Sequence, residues 1–381
     1  MKILHLSKFY PPDPGGLEYV VATLSQGAAA RGHDVRVVCA TGSSWLRDPG
    51  KRISEPPRFG VTVIRLPTYG VYWSQPITPG YVTASKWPAD VVYVHRPHPL
   101  ADLAAMLGPR RPTIVFHHSD VQRQRIAKMM YRPLSRRVAK RADAVVLAAH
   151  ANLNHAEDVG AAGRKKAHVI PFGVDERRFA PRSHPQRPEC FPPPARGPIG
   201  LFVGRLVGYK GLDILLRAMV GTDLQVVIVG DGPIRPELDR QVEELKLGDR
   251  VVMAGPASEN QLPGYYQSAD YFVFPSTSPA EMFGISQLEA MACSLPVIST
   301  SLSTGVSEVG EPDVTGLVVP PGDVVALRTA MERLASNCAL REKMGAAARQ
   351  RVEQRFTESR MVDAHMELCE ELARQARAAG P

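Results

Sequence analysis

Short apolar runs alternate with helix-period stretches along almost all of this 381-residue chain, and one dense run of prolines divides the alternation in two. Such alternation predicts parallel strands, because each crossover spends a helix to bring the chain back to the same end of the sheet. The first series predicts strands at Ile3–Leu6, Val35–Cys39, Val61–Leu66, Val91–Val94, Thr113–Phe116, Ala144–Leu147 and His168–Ile170. After the first of these, Leu17, Val20, Val21, Leu24 and Ala28 recur on one helical face, and Gly32 is placed to stop that helix. The second series predicts strands at Ile199–Val203, Gln225–Val229, Arg250–Met253, Tyr271–Phe274, Pro296–Ser299 and Leu317–Val319. Between them lie Pro181, Pro185, Pro188, Pro192, Pro193, Pro194 and Pro198, too many for a helix or a central strand, so 181–198 reads as a linker. The chain is also long for one hydrophobic core. The expected architecture is α/β: two doubly wound parallel-sheet domains, 1–180 and 199–357, with ligands in a cleft at the carboxyl ends of the strands.

Several function classes fall away on composition and motif. Five scattered cysteines, with no C-x-x-C pair, predict reduced thiols in a cytosolic compartment rather than a disulfide framework or a zinc site. The opening Met1-Lys2-Ile3-Leu4-His5-Leu6 has too short an apolar run for a signal peptide and reads as a first strand. No apolar stretch approaches the length of a membrane span. Gly230-Asp231-Gly232 continues to Arg235 where a dinucleotide fingerprint needs glycine, and no P-loop or Asp-x-Asp pair occurs. A formal net charge of +8 favours acidic partners: nucleotides, nucleic acid or anionic lipid.

Glu281 and Glu289 flank a small Phe283-Gly284 turn between an apolar strand and an apolar helix expected to start near Ile285. Eight helical residues would span about 12 Å, and free amides around Phe283–Ser286 would form a helix N-terminus suited to phosphate. Gly204-Arg205 and Lys210-Gly211 follow the first strand of the second series and open a helix at Leu212–Met219. Cations beside helix amides suit a diphosphate whose negative charge grows as a glycosidic bond breaks. In the first series, Pro12-Asp13-Pro14-Gly15-Gly16 lets backbone approach a ligand closely. His117, His118 and Asp120 end a strand where an imidazole can hydrogen-bond a sugar hydroxyl or an acceptor.

From Arg123 to Arg141 no acid occurs, while Arg123, Arg125, Lys128, Arg132, Arg136, Arg137, Lys140 and Arg141 recur. Ile126, Met129, Met130, Leu134 and Val138 follow helical spacing, and Pro133 leaves open one kinked helix or two short ones. A basic helix with an apolar stripe reads as a docking surface for anionic membrane through Arg123, Arg125, Lys128, Arg132, Arg136 and Arg137. The alternative is a solvated helix whose stripe packs on its own domain. Nucleic acid is disfavoured, since no aromatic interleaving or nucleic-acid module accompanies the charge.

Taken together, these motifs resemble the retaining glycosyltransferases of family 4, which have the GT-B fold of two Rossmann-like domains. The glycine loop, the His-Ser-Asp at 118–120, Pro171-Phe172-Gly173-Val174-Asp175, the Arg205/Lys210 loop and the E-x7-E of Glu281 and Glu289 carry the resemblance across the chain. Thr304-Gly305-Val306 and Thr315-Gly316-Leu317-Val318-Val319-Pro320 add to it, and Phe172 departs from the asparagine of many members. The resemblance implies that Arg205 and Lys210 hold the donor diphosphate with the Gly15-Gly16 amides opposite, and that Glu289 holds the ribose. It places Glu281 and the backbone of Phe283, Gly284 and Ile285 at the donor sugar, His118 near the transferred sugar, and Asp120 as an orienter of His118 or the acceptor. A last helix at about 358–376 would cross back onto the first domain.

By the same resemblance, closest to bacterial mannosyltransferases of surface polysaccharide assembly, the enzyme would transfer a hexose with retention, with neither metal nor cofactor. GDP-mannose leads over a UDP-sugar as donor. The acceptor would be a polyprenyl-diphosphate-linked oligosaccharide at the cytoplasmic face of the plasma membrane. Two other readings stay open: a sugar-nucleotide 2-epimerase of the same fold, and a non-catalytic protein that binds sugar nucleotides or a lipid surface.

Overall fold

The computed structural model describes residues 1–13, 15–41, 53–55, 59–72, 75–119, 125–182, 185–193 and 197–378, with the side chains of 53 and 125–127 also outside the description. The chain forms two compact units, Met1–Phe172 with Ser359–Pro381, and Gly173–Glu358. The division therefore falls at Phe172/Gly173, and the proline-rich run 181–198, expected as the linker, belongs to the second unit. There Phe191 packs against Tyr265 at 5.8 Å, and the Arg187 guanidinium lies over the Phe191 ring. Among its described residues the run forms neither helix nor strand.

The first unit is built on an eight-stranded sheet. Its strands are β1 (Lys2–Leu6), β2 (Asp34–Ala40), β3 (Ile53–Ser54), β4 (Val61–Leu66), β7 (Val91–Arg96), β8 (Thr113–His117), β9 (Ala144–Leu147) and β10 (Ala167–Val169), while β5 (Val71–Tyr72) and β6 (Gln75–Pro76) form a separate hairpin. The order is β10-β9-β8-β7-β1-β2-β4-β3, parallel except for the β3–β4 pair. Helices α1 (Gly16–Ala30), α2 (Tyr81–Ala84), α3 (Pro99–Leu107), α4 (Arg125–Arg141), α5 (Asn152–His155) and α6 (Gly160–Arg164) connect the strands. Strands buried on both faces read as continuous apolar runs. Accordingly Leu4, Val38, Val94, Val115 and Val145 meet Tyr81, Ala104 and Val138 in one core. A buried ion pair, Arg96 to Asp102 at 2.9 Å, ties the end of β7 to α3, and Tyr131 of α4 donates to the same carboxylate at 2.5 Å.

The second unit carries a six-stranded, wholly parallel sheet in the order β13-β12-β11-β14-β15-β16. Its strands are β11 (Ile199–Val203), β12 (Gln225–Val229), β13 (Val251–Gly255), β14 (Tyr271–Val273), β15 (Val297–Thr300) and β16 (Gly316–Val319). The helices are α7 (Leu212–Ala218), α8 (Arg235–Glu244), α9 (Leu262–Gln267), α10 (Ile285–Ala292), α11 (Val306–Val309), α12 (Val324–Ser336) and α13 (Cys338–Arg355). Leu212, Leu215 and Leu216 of α7 and Leu327, Met331 and Leu334 of α12 pack with Val226 and Ile228 in its core. Helix α14 (Glu358–Ala378) returns to the first unit, where Val362 presses on Gly27 of α1 and Arg31 pairs with Asp363.

Each sheet has one place where the strand order reverses: between β7 and β1 in the first unit, and between β11 and β14 in the second. Ligands of open α/β sheets bind outside the carboxyl ends of the strands at such points.

Candidate active site

In the second unit, the loops leaving β11 and β14 flank the switch point and carry Arg205, Lys210 and Glu281. A short 3-10 turn, Gly208–Lys210, passes to α7 through Gly211 at φ +68°. A Cβ on Gly211 would lie 2.1 Å from the Pro275 carbonyl oxygen, so only glycine lets these two loops press together. Gly284 precedes α10 at φ +81°, where a Cβ would meet the Phe274 ring at 2.6 Å. No side chain caps α10 among the described residues, and although the Gln287 amide donates to the Gly284 carbonyl at 3.0 Å, the Ile285 and Ser286 amides remain donors for an anion or a sugar oxygen.

Lys210 and Glu281, expected to hold different parts of a donor, are in contact with each other. The Lys210 ammonium forms an ion pair with Glu281 Oε2, and each residue is only 8% exposed. Ser276 Oγ donates to the same carboxylate oxygen at 3.3 Å, and the ammonium sits 4.9 Å from the centre of the Phe274 ring. Thr304 Oγ1 donates to the Glu281 carbonyl at 2.7 Å, and Thr300 Oγ1 to the Ser276 carbonyl at 2.6 Å, which fixes the turn bearing the carboxylate. Arg205 is exposed and has no ion pair or hydrogen bond among the described residues. The site thus offers one open cation, and one buried cation that an incoming anion must share with Glu281.

Glu289 lies on the second turn of α10, and Tyr266 donates to its Oε2 at 2.6 Å. Burial raises the Glu289 carboxyl and the Tyr266 phenol, and the hydrogen bond pulls the carboxyl partly back. Glu289 is the residue expected to hold the ribose; Tyr266 uses one acceptor position of Oε2, and no hydrogen bond to Oε1 is made among the described residues. Tyr266 was missed by the sequence analysis, since α9 lies on a different segment and only the fold brings it to α10. Glu289→Gln would exchange a charge-assisted acceptor for a neutral amide, a loss of roughly 1.5–3 kcal/mol. Calorimetry should show weaker binding of a nucleoside diphosphate, and an unchanged dissociation constant would remove Glu289 from the ribose.

The first unit, taken by itself, carries loops at its own β1–β7 switch. Gly15 and Gly16 are exposed at the start of α1, and the Glu18 carboxylate folds back against Gly15; Pro14 of the same loop lies outside the described residues. Lys8, just after β1, is lowered to about 8 by burial, opposed by the charge of Glu18. His118 follows β8 and is half-buried, whereas His117 is 2% exposed, so His118 is the one of the pair open to a ligand. Its ring packs on Phe116 at 4.2 Å and Phe172 at 5.8 Å, and its Nε2 lies 3.1 Å from His95 Nδ1. Asp120 lies outside the described residues.

The basic stretch forms the single helix α4, continuous through Pro133. Arg123 and the Arg125 side chain lie outside the described residues. Lys128 and Arg132, expected to face a membrane, both pair with Glu157, and Arg136 Nε donates to the Glu157 carbonyl at 3.2 Å. The acid missing from the run itself is supplied by the segment following α5. The apolar stripe divides: Val138 is buried, whereas Met129 and Met130 are 71% and 74% exposed.

Two family models match the chain: Glycosyltransferase Family 4 over residues 14–178 and Glycosyl transferases group 1 over residues 189–351. The D-rhamnosyltransferase WbpZ of Pseudomonas aeruginosa is 36% identical, over 94% of this chain and 92% of that protein. The O-antigen chain mannosyltransferase C of Escherichia coli is 32% identical, over 97% and 98%. Among solved structures, the sucrose-phosphate synthase of Thermosynechococcus elongatus superposes with a TM-score of 0.81 at 25% identity, covering 100% of both chains. Anabaena HepE in complex with UDP gives 0.74 at 21% identity, over 98% of this chain and 100% of that one.

Proposed function

The chain belongs to glycosyltransferase family 4 and has the GT-B fold, and from that premise we propose that it transfers a hexose from a nucleotide sugar to a lipid-linked oligosaccharide with retention of anomeric configuration. The observation that carries this reading is the Lys210–Glu281 pair at the β11–β14 switch point, with Arg205 open beside it. An arriving diphosphate offers Lys210 a stronger partner and frees Glu281 to accept from a sugar hydroxyl. As the bond from the anomeric carbon to the diphosphate breaks, its electron pair goes to the phosphate oxygen, where Lys210 and Arg205 meet the growing charge without a metal. The acceptor hydroxyl attacks from the same face and passes its proton to that oxygen. To His118 we assign, on the family resemblance, a hydrogen bond to the transferred sugar.

Relatives named as a D-rhamnosyltransferase and an O-antigen chain mannosyltransferase support a hexose of this kind in polysaccharide assembly; GDP-mannose and a polyprenyl-diphosphate-linked saccharide are the donor and acceptor we propose. The test is turnover on GDP-mannose against UDP-glucose with a polyprenyl-diphosphate acceptor in a chelator, with the product anomer read by NMR. GDP-mannose should be preferred and the α-linkage kept; an inverted product or a strict metal requirement would overturn the mechanism.

Membrane docking is assigned to the exposed face of α4. Met129, Met130, Pro133, Arg136, Arg137 and Lys140 share it at helical spacing and are all exposed. Two methionines entering the interface contribute roughly 1.5–3 kcal/mol each when fully buried, and each nearby cation about 1 kcal/mol. Changing Met129 and Met130 together to Glu should cut sedimentation with acidic vesicles by at least about tenfold. It should exceed the effect of Lys128→Glu with Arg132→Glu, since those cations already answer Glu157. Equal sedimentation of wild type and the methionine variant would leave α4 a solvated surface.

A further inference from the structure

Three histidines of the first unit form a continuous line that ends at His118. His118 Nε2 lies 3.1 Å from His95 Nδ1, and His95 Nε2 lies 3.0 Å from His5 Nδ1. The strand register produces the line. His5 on β1 stands opposite Tyr93 on β7, and His95 is two residues further along the same face. His95 in turn stands opposite Phe116 on β8, and His118 is again two residues on. His5 and His95 are fully buried, and adjacent ring planes in the line stay within 23° of each other. The other titratable groups around it are Tyr93 from β7, Lys8 after β1, His117 from β8, and His365 and Cys369 from α14.

Burial lowers His5 to about 3 and holds His95 well below the ordinary imidazole value, so both are neutral near pH 7. A neutral imidazole has one N–H and one lone pair, so every link of the line must point the same way. In one direction His118 donates from Nε2 and His5 is left with its proton on Nε2. In the other, His5 and His95 each donate from Nδ1, and His118 carries its proton on Nδ1. His5 Nε2 is buried with no hydrogen-bond partner among the described residues. An orphaned buried N–H is the rarer of the two defects, so the second direction is favoured.

We propose that His5 and His95 are positioning residues that hold His118 with its proton on Nδ1, so that it meets the transferred sugar as a hydrogen-bond donor. The proposal rests on the placement of His118 at that sugar. It gives the buried line a specificity role: a sugar oxygen able to accept is welcomed at His118, and a group that can only donate is refused.

Nitrogen NMR of the full chain labelled at histidine reads the tautomer directly. The expected result at neutral pH is a protonated Nδ1 and a bare Nε2 on His118; a proton on Nε2 overturns the proposal and needs no variant. Turnover gives the second arm. His95→Asn keeps an amide N–H in reach of His118 Nε2 and should retain kcat within about threefold, whereas His95→Leu should lose roughly tenfold, one neutral hydrogen bond's worth. Equal losses in the two variants, with unchanged melting, would show that His95 only packs and would overturn the proposal. His118→Ala tests the underlying placement separately: unchanged turnover there removes His118 from the sugar whatever its tautomer.

Discussion

Lys210→Ala should reduce turnover by more than about 100-fold, because in the proposed mechanism it removes a preorganised cation from the point where leaving-group charge develops. The structure adds a second effect. Lys210 and Glu281 form one buried ion pair, and removing one partner of such a pair typically costs about 3–5 kcal/mol by leaving the other charge uncompensated. The Ser276 hydroxyl still donates to the stranded carboxylate and moderates that cost. The single variant is therefore expected to melt at a lower temperature as well as to lose activity. Adding Glu281→Gln should restore much of the melting temperature and none of the turnover. That divergence separates the catalytic role of the lysine from its structural one. A folded Lys210→Ala enzyme with near wild-type turnover would remove the diphosphate from this loop.

The first unit should be unusually sensitive to acid. His5, His95, His98 and His365 are fully buried; burial lowers His5, His98 and His365 to about 3 and holds His95 well below its ordinary value. Their ordinary value is about 6.5, so the unfolded chain binds protons that the folded unit refuses as pH falls below that point. The stability they permit is thus fully present above about pH 6.5 and lost progressively toward pH 3. Each such group contributes a slope of about 1.4 kcal/mol per pH unit, and four together exhaust the ~5–15 kcal/mol of a typical domain within a few units. Circular dichroism should show cooperative unfolding centred near pH 5, and the urea midpoint should fall steeply with pH before that. A urea midpoint that stays level from pH 7 to 4.5 would mean these imidazoles are not buried and neutral.

The elements around the site were legible because their signals are local. The apolar run ending at Phe274, the glycine at 284 and the helical period after it placed β14, the turn and α10 close to where they lie. Arg205, Lys210, Glu281 and Glu289 could be read as loop and helix residues for the same reason. Their partners could not, since partnership depends on which loops the fold presses together. Nothing near Lys210 in the chain announces Glu281, nothing near Glu289 announces Tyr266, and the acid-free run of α4 gives no hint of Glu157. The histidine line is the extreme case. His5, His95 and His118 sit on three segments, and only the parallel register of β1, β7 and β8 makes them neighbours.

The most direct test of the central claim is the fate of the donor. The purified chain is incubated with a panel of nucleotide sugars and a polyprenyl-diphosphate-linked oligosaccharide, and nucleoside diphosphate and acceptor mass are followed together. Nucleoside diphosphate should be released in step with an acceptor heavier by a single hexose, and both signals should collapse in Lys210→Ala. Conversion of the sugar nucleotide to a free epimer without a change in the acceptor, or no turnover of any donor, would contradict the assignment.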